Sequence, residues 1–263
     1  MGHHNLHYGG DQYSFTGKWS PPTSRANFCE EDYAITFYLA EFINSISNLA
    51  YIYLALKAMR HHSPDFMSLS LLALGIGSFL FHATLRAAPE FCDELSMLLL
   101  TWSMLHSVLT VPSVSRSKSL GISLSLTVIF VLFSTYYISS PQIIYHVIAF
   151  ATALGIVTLR SQYLFHWVKF AGREKDRDWN KRTWEAIGVC LVGYALWNID
   201  LSFCGELRRV REWLGFPWAW GLELHGWWHL LTAFGAARFM DVAREMKKLS
   251  EFDFEPRFDE KLE

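Results

Sequence analysis

The sequence predicts an all-α integral membrane bundle of seven transmembrane helices, with a lumenal N-terminus and a cytosolic C-terminus. Three observations carry that expectation. Of the 263 residues 51% are hydrophobic and 18% charged, against about 25% charged in soluble domains. The charge is also unevenly spread: residues 241–263 hold thirteen charged side chains, whereas 119–159 hold none over 41 residues. Finally, 17 of the 23 Lys and Arg fall on the segments that a seven-span reading places on one side, which the positive-inside rule makes cytosolic. The same composition excludes disordered and fibrous chains. With 23 basic against 25 acidic residues there is no positive field to attract nucleic acid.

Each span follows from a run long enough to cross a hydrocarbon core of about 30 Å, roughly 20 helical residues. Residues 66–85 and 95–115 are uncharged runs of 20 and 21 residues. The run 119–159 is two spans, because Ser139, Ser140 and Pro141 mark a turn near its middle. Three further spans carry isolated acids: 37–59 with Glu41, 183–203 with Glu185 and Asp200, and 222–240 with Glu223. The chain thus divides into a lumenal tail (1–36), a membrane domain (37–240) and a cytosolic charged tail (241–263). Residues 1–36 lack the basic and apolar regions of a cleavable signal, so the first span is expected to direct insertion. His3, His4 and His7 lie in a Gly- and His-rich opening, where a metal site ranks behind a solvated tail. The tail after Arg244 is likewise expected to be solvated.

On the lumenal side of that topology lie Cys29, Cys92 and Cys204. An oxidising lumen permits a disulfide, with Cys29–Cys204 the preferred pair and Cys92 a rival partner. Cys190 lies within a span and reads as a small apolar filler.

Polar groups at membrane depth carry the functional signal, since each is costly there without a partner or a task. His225 and His229 are four residues apart in one span, so both imidazoles share a helix face about 6 Å apart, a spacing suited to one zinc. Ser78 and His82 repeat that spacing in another span, and Asp93 follows after a short connection read as residues 85–93. Three His with an open fourth position is the catalytic arrangement of zinc. His106 and His146 read as packing residues. A second cluster, Asn27, Glu30, Glu31, Asp32 and Glu41, offers the hard oxygen ligands that calcium takes; the bare pattern favours a solvated acidic loop, and what shifts the reading is Glu41, a turn into the membrane and in need of a partner.

Taken together, the residues resemble the alkaline ceramidase family. Trp19-Ser-Pro-Pro-Thr-Ser24, Phe28-Cys-Glu-Glu-Asp-Tyr33 and Ala40-Glu-Phe-Ile-Asn-Ser-Ile-Ser-Asn48 are similar to the family's opening. Gly77-Ser-Phe-Leu-Phe-His-Ala-Thr-Leu85 with Asp93-Glu-Leu95 resembles its second block. Trp197-Asn-Ile-Asp200 with Cys204, and His225-Gly-Trp-Trp-His229, resemble the third and fourth. The resemblance implies a catalytic zinc on His82, His225 and His229, with Asp93 and Ser78 beside it. It implies a calcium site on Asn27, the Phe28 carbonyl, Glu30, Asp32 and Glu41, although the family commonly has Asp where Asn27 stands and Asn where Asp32 stands. It also implies the Cys29–Cys204 disulfide. The activity implied is hydrolysis of the ceramide N-acyl bond, with the fungal branch pointing to dihydro- and phytoceramides. The substrate would lie within the bilayer of the endoplasmic reticulum, or of the Golgi, with no nucleic acid and no obligatory protein partner. The alternatives are a seven-helix receptor and an adiponectin-receptor-like hydrolase of another lipid amide; an ion transporter would need ionisable groups through the whole bilayer. Retinal binding is disfavoured because residues 183–246 contain no Lys.

Overall fold

The computed structural model describes residues 12–111, 114–169 and 171–252; the histidines at positions 3, 4 and 7 and residues 253–263 lie outside them. Within the described residues the ordered elements are helices, joined by turns and one isolated bridge between Thr36 and Leu39. In chain order they are α1 (Phe42–Ser47), α2 (Leu49–His61), α3 (Phe66–Thr84), α4 (Ala87–Leu109), α5 (Arg116–Ser139), α6 (Ile143–Tyr163), α7 (Arg173–Ser202), α8 (Cys204–Leu214) and α9 (Leu224–Phe252).

Three stretches are long and apolar enough to cross a membrane: α3, α5 and the continuous Ile143–Val168, in which α6 runs on through a π-helical turn. A fourth is the pair α7–α8, bent by 90° at Phe203. How they are covered differs. Within its apolar window α3 is 61% buried, whereas α5 and Ile143–Val168 are only 6% and 11% buried. Leu124, Val128, Ile129 and Leu132 of α5 are open to the surroundings. An apolar face left this bare fits a lipid environment.

Several boundaries differ from the uncharged runs. The expected helix 37–59 starts only at Phe42 and breaks at Asn48. Short polar side chains there turn back on the backbone: Ser45 Oγ donates to the Glu41 carbonyl, and Ser47 Oγ and Asn48 Nδ2 both donate to the Asn44 carbonyl. Such bonds compete with a regular helix. The expected connection 85–93 contracts to two residues, Leu85 and Arg86. Leu85 takes the left-handed conformation, φ 47°, and its carbonyl accepts the amides of Thr23 and Ser24 at 2.9 and 3.0 Å. Pro89 is tolerated because it falls in the first turn of α4. Asp93 and Cys92 therefore sit on α4 itself, and Cys92 is an exposed free thiol. In the expected loop after Phe203 lies the additional helix α8. Helix α9 continues past the apolar run to Phe252, because Val242, Ala243 and Met246 still face inward and are fully buried.

Two apolar clusters divide the interior. The larger is built around Leu71, Val108, Trp179, Met240 and Met246; the smaller joins Phe28, Tyr33, Phe81, Leu85 and Leu201 beneath the N-terminal loop. Helices α7 and α9 run together closely because Gly235 has no side chain: a Cβ there would lie 2.9 Å from the Ala186 carbonyl oxygen and 2.5 Å from Cys190 Sγ.

Candidate active site

The N-terminal loop is fixed before the site is complete. Cys29 and Cys204 are joined in a disulfide whose Cα atoms lie 5.4 Å apart, tying the loop to the start of α8. The Cys29 carbonyl accepts from Arg208 Nε and Arg211 Nη2, both at 2.9 Å. Arg211 also pairs with Glu223, and the Leu224 amide donates to Asp200 Oδ1 at 3.2 Å. Loop, α7, α8 and the first turn of α9 are thereby held as one unit just ahead of His225.

At the centre of that unit three histidines converge. His82 comes from the last turns of α3, and His225 and His229 from consecutive turns of α9. Their ring centroids lie 4.5–5.0 Å apart, and one nitrogen of each falls within 4.8 Å of the others. All three are buried. Among the described residues this is the group of three whose ligand atoms lie close enough together to hold one metal ion.

Protein partners fix the direction of two of the rings. His82 Nδ1 lies 2.5 Å from Glu41 Oε2; a carboxylate only accepts, so Nδ1 carries the proton and Nε2 presents its lone pair. That Nε2 is buried and has no hydrogen-bond partner. His229 Nδ1 lies 2.8 Å from Ser47 Oγ. The single Ser47 proton is donated to the Asn44 carbonyl, so towards His229 the hydroxyl accepts, and Nε2 is again the free lone pair. Asn48 Nδ2, which donates to the Asn44 carbonyl, lies 3.3 Å from the same nitrogen and with Nδ1 protonated makes no hydrogen bond to it. His225 is clamped differently: the Phe28 ring stacks on it at 3.9 Å, and its buried Nδ1 has no partner. Orphaned imidazole nitrogens facing one another are costly, and a divalent metal is the group whose chemistry satisfies them.

Ser78 and Asp93 are brought together on facing turns of α3 and α4, and the serine side chain hydrogen-bonds to the carboxylate. The close approach depends on Gly77, where a Cβ would stand 3.2–3.3 Å from the backbone of Cys92 and Asp93.

Of the expected calcium ligands, Glu30, Asp32 and Glu41 are buried, and Glu41 lies near enough to Glu30 to act on its charge. Glu30 accepts the amides of Ile43 and Asn44 at 2.6 and 2.8 Å. Asn27 Oδ1 accepts the Phe28 amide at 2.8 Å, and that amide also approaches Glu41 Oε1 at 3.2 Å. Burial, with Glu223 and Glu41 nearby, pushes the Glu30 carboxyl well above its usual range. Glu31, between Glu30 and Asp32 in the same loop, is exposed. His106 bonds Ser123 Oγ and His146 bonds the Glu94 carbonyl, each a packing contact away from the trio.

The sequence reading left unassigned the roles of Glu41 and Ser47 as partners of His82 and His229. The signal was present in the polar spacing of residues 41–48, but a polar residue beside a helix break does not announce which ring it will meet.

The family model described as Ceramidase matches residues 20–254. Alkaline ceramidase 3 of Mus musculus is 31% identical over 233 residues, covering 84% of this chain and 82% of the mouse protein. A yeast alkaline ceramidase (Saccharomyces cerevisiae) is 27% identical, covering 84% and 76% respectively. An alkaline ceramidase of Arabidopsis thaliana is 27% identical, covering 83% and 82%. The family match spans both sequence blocks that carry the histidines and the loop that orients them: the chain belongs to the ceramidase family.

Proposed function

We propose that the protein is a zinc-dependent integral membrane amidase that cleaves the N-acyl bond of ceramide, preferentially dihydro- or phytoceramide, to a sphingoid base and a fatty acid. The observation that carries this reading is the buried trio His82, His225 and His229, two of whose rings are held with Nε2 turned inward. Zinc bound there would supply a Lewis acid for the amide carbonyl and would lower the pKa of water to about 7.

The remaining steps belong to this chain's own groups. The Asp93 carboxylate accepts a proton from the attacking water as the new C–O bond forms, and returns it to the sphingoid nitrogen as the C–N bond breaks. The Ser78 hydroxyl, which bonds Asp93, is released when that carboxylate takes the proton. It then donates to the oxyanion as negative charge develops. Glu41 and Ser47 keep the His82 and His229 rings from turning, so the ligands need no reorganisation during the reaction.

A calcium ion on Asn27, the Phe28 carbonyl, Glu30, Asp32 and Glu41 is part of the proposal. Three buried carboxylates repel one another unless protonated or paired with a cation, and Glu41 would link the two sites, facing His82 through one oxygen and the loop through the other. In the membrane, α1–α2, α3, α4, α5, α6, α7 and α9 form seven passages. The histidines lie in the lumenal half and the basic connections in the cytosol, in the endoplasmic reticulum or Golgi.

The test is metal exchange. Chelator-treated protein in detergent should lose amidase activity on a ceramide panel and regain it with zinc, releasing base and fatty acid in equal amounts. Full activity in metal-free protein contradicts the proposal.

A further inference from the structure

A second concave site lies at the opposite end of the bundle. From His82 to Asp65 along α3, and from His225 to Arg244 along α9, is roughly 25–30 Å at 1.5 Å per residue. A cavity of about 790 Å³ opens there between the end of α2, the start of α3, α7 and the last turns of α9.

Its charges fall into two classes. Arg182 and Arg244 are already committed: Arg182 to Glu245 at 2.8 Å and Asp178 at 3.4 Å, Arg244 to Asp65 at 2.6 Å and Asp241 at 3.1 Å. These pairs brace the walls, with the two guanidiniums set against three lining acids, Asp65, Asp241 and Glu245. Lys57, Lys247 and Lys248 line the same cavity, are exposed, and have no ion pair among the described residues. His61, His62 and Ser63 complete the rim with further donors. Three lysines from two separate helices line one volume, and with them the lining carries five Lys and Arg against three acids. Helix packing does not require that arrangement, and like charges so gathered are unfavourable without a counter-ion.

We propose that this cavity binds a phosphorylated anion, either the phosphomonoester headgroup of a membrane lipid or a soluble phosphate ester. The volume suits a headgroup-sized ligand. Ammonium groups act as point charges for phosphate oxygens, and the Ser63 hydroxyl and the histidine rings supply directed donors. Basic pockets between helices at a membrane boundary are sites where anionic headgroups bind. The site is remote from the histidine trio, so its occupancy is read independently of the amide chemistry.

Two arms distinguish the sources. Wild-type protein in nanodiscs of phosphatidylcholine alone is titrated with inositol trisphosphate. Separately, binding is compared between nanodiscs containing phosphatidic acid and neutral ones by the shift in thermal unfolding. Each probe is repeated on the K57A/K247A/K248A variant and on K57R/K247R/K248R. Saturable binding that weakens about a hundredfold in the alanine variant, falls with salt and survives in the arginine variant establishes the site. A response only to phosphatidic acid assigns a lipid headgroup, and a response to inositol trisphosphate assigns a soluble ester. The alanine variant should keep wild-type ceramide hydrolysis in phosphatidylcholine, showing that it is folded. Equal binding by wild type and the alanine variant, or no binding of either probe by wild type, overturns the proposal.

Discussion

Glu41→Gln isolates the carboxylate–imidazole contact with the smallest change of shape. Glu41 is fully buried and receives three donors: the Phe28 amide at Oε1 (3.2 Å), and Asn44 Nδ2 (3.0 Å) and His82 Nδ1 (2.5 Å) at Oε2. Glutamine offers one oxygen in place of two. If that oxygen stays on His82 and Asn44, the new NH2 faces the Phe28 amide; if it turns, the NH2 faces His82. Either way a buried donor loses its acceptor, which costs about 1–3 kcal/mol, and the charge that strengthens His82 as a ligand is gone. Loss of such a partner lowers metal affinity by about 10–100-fold. Zinc affinity should be measured by competition with a chelator, with calcium saturating and then absent, alongside hydrolysis at limiting and excess zinc. The expected result is a tenfold or greater loss of zinc affinity, with activity largely restored by excess zinc. Unchanged zinc affinity in a folded variant would refute the reasoning.

Other perturbations probe the frame. Burial would raise the Asp65 carboxyl, but Arg244 and the Ser68 amide and hydroxyl outweigh it and hold the value below its usual range. Its contribution is therefore complete above pH ~4 and is lost as pH falls through the lowered value; Asp65→Asn should flatten that part of the acid-unfolding curve, and an unchanged curve would exclude it. Gly235→Val should lower thermal stability by about 1–3 kcal/mol, because the Ala186 carbonyl cannot give way as Cys190 can. Arg211→Ala leaves Glu223 buried without its cation and should cost about 3–5 kcal/mol, seen as a lower unfolding temperature; Arg211→Ala/Glu223→Leu should recover part of it.

Much of the fold was legible because lipid imposes a simple rule on sequence. The uncharged runs located α3, α5 and α6 within a few residues, and the turn at Ser139–Pro141 fell where α5 ends. The rule fails where a charged residue has an inward partner. Asp93 was read as ending a loop, yet α4 begins six residues before it, and Arg211 and Glu223 support helices that composition alone passes over. The i, i+4 spacing brought out His225 and His229, and Ser78 with His82. What spacing cannot show is the convergence of α3 with α9, nor that Glu41 faces His82, since both depend on how the broken first helix folds back across 41 residues of chain.

The central claim is that the histidine trio holds a zinc that ceramide hydrolysis requires. Zinc content and ceramide turnover should be measured together on purified wild type and His229→Ala, with matched unfolding curves. The account predicts about one zinc per wild-type chain, with both metal and turnover lost in the variant. A folded variant that still cleaves ceramide, or a metal-free wild type that does so, would contradict it.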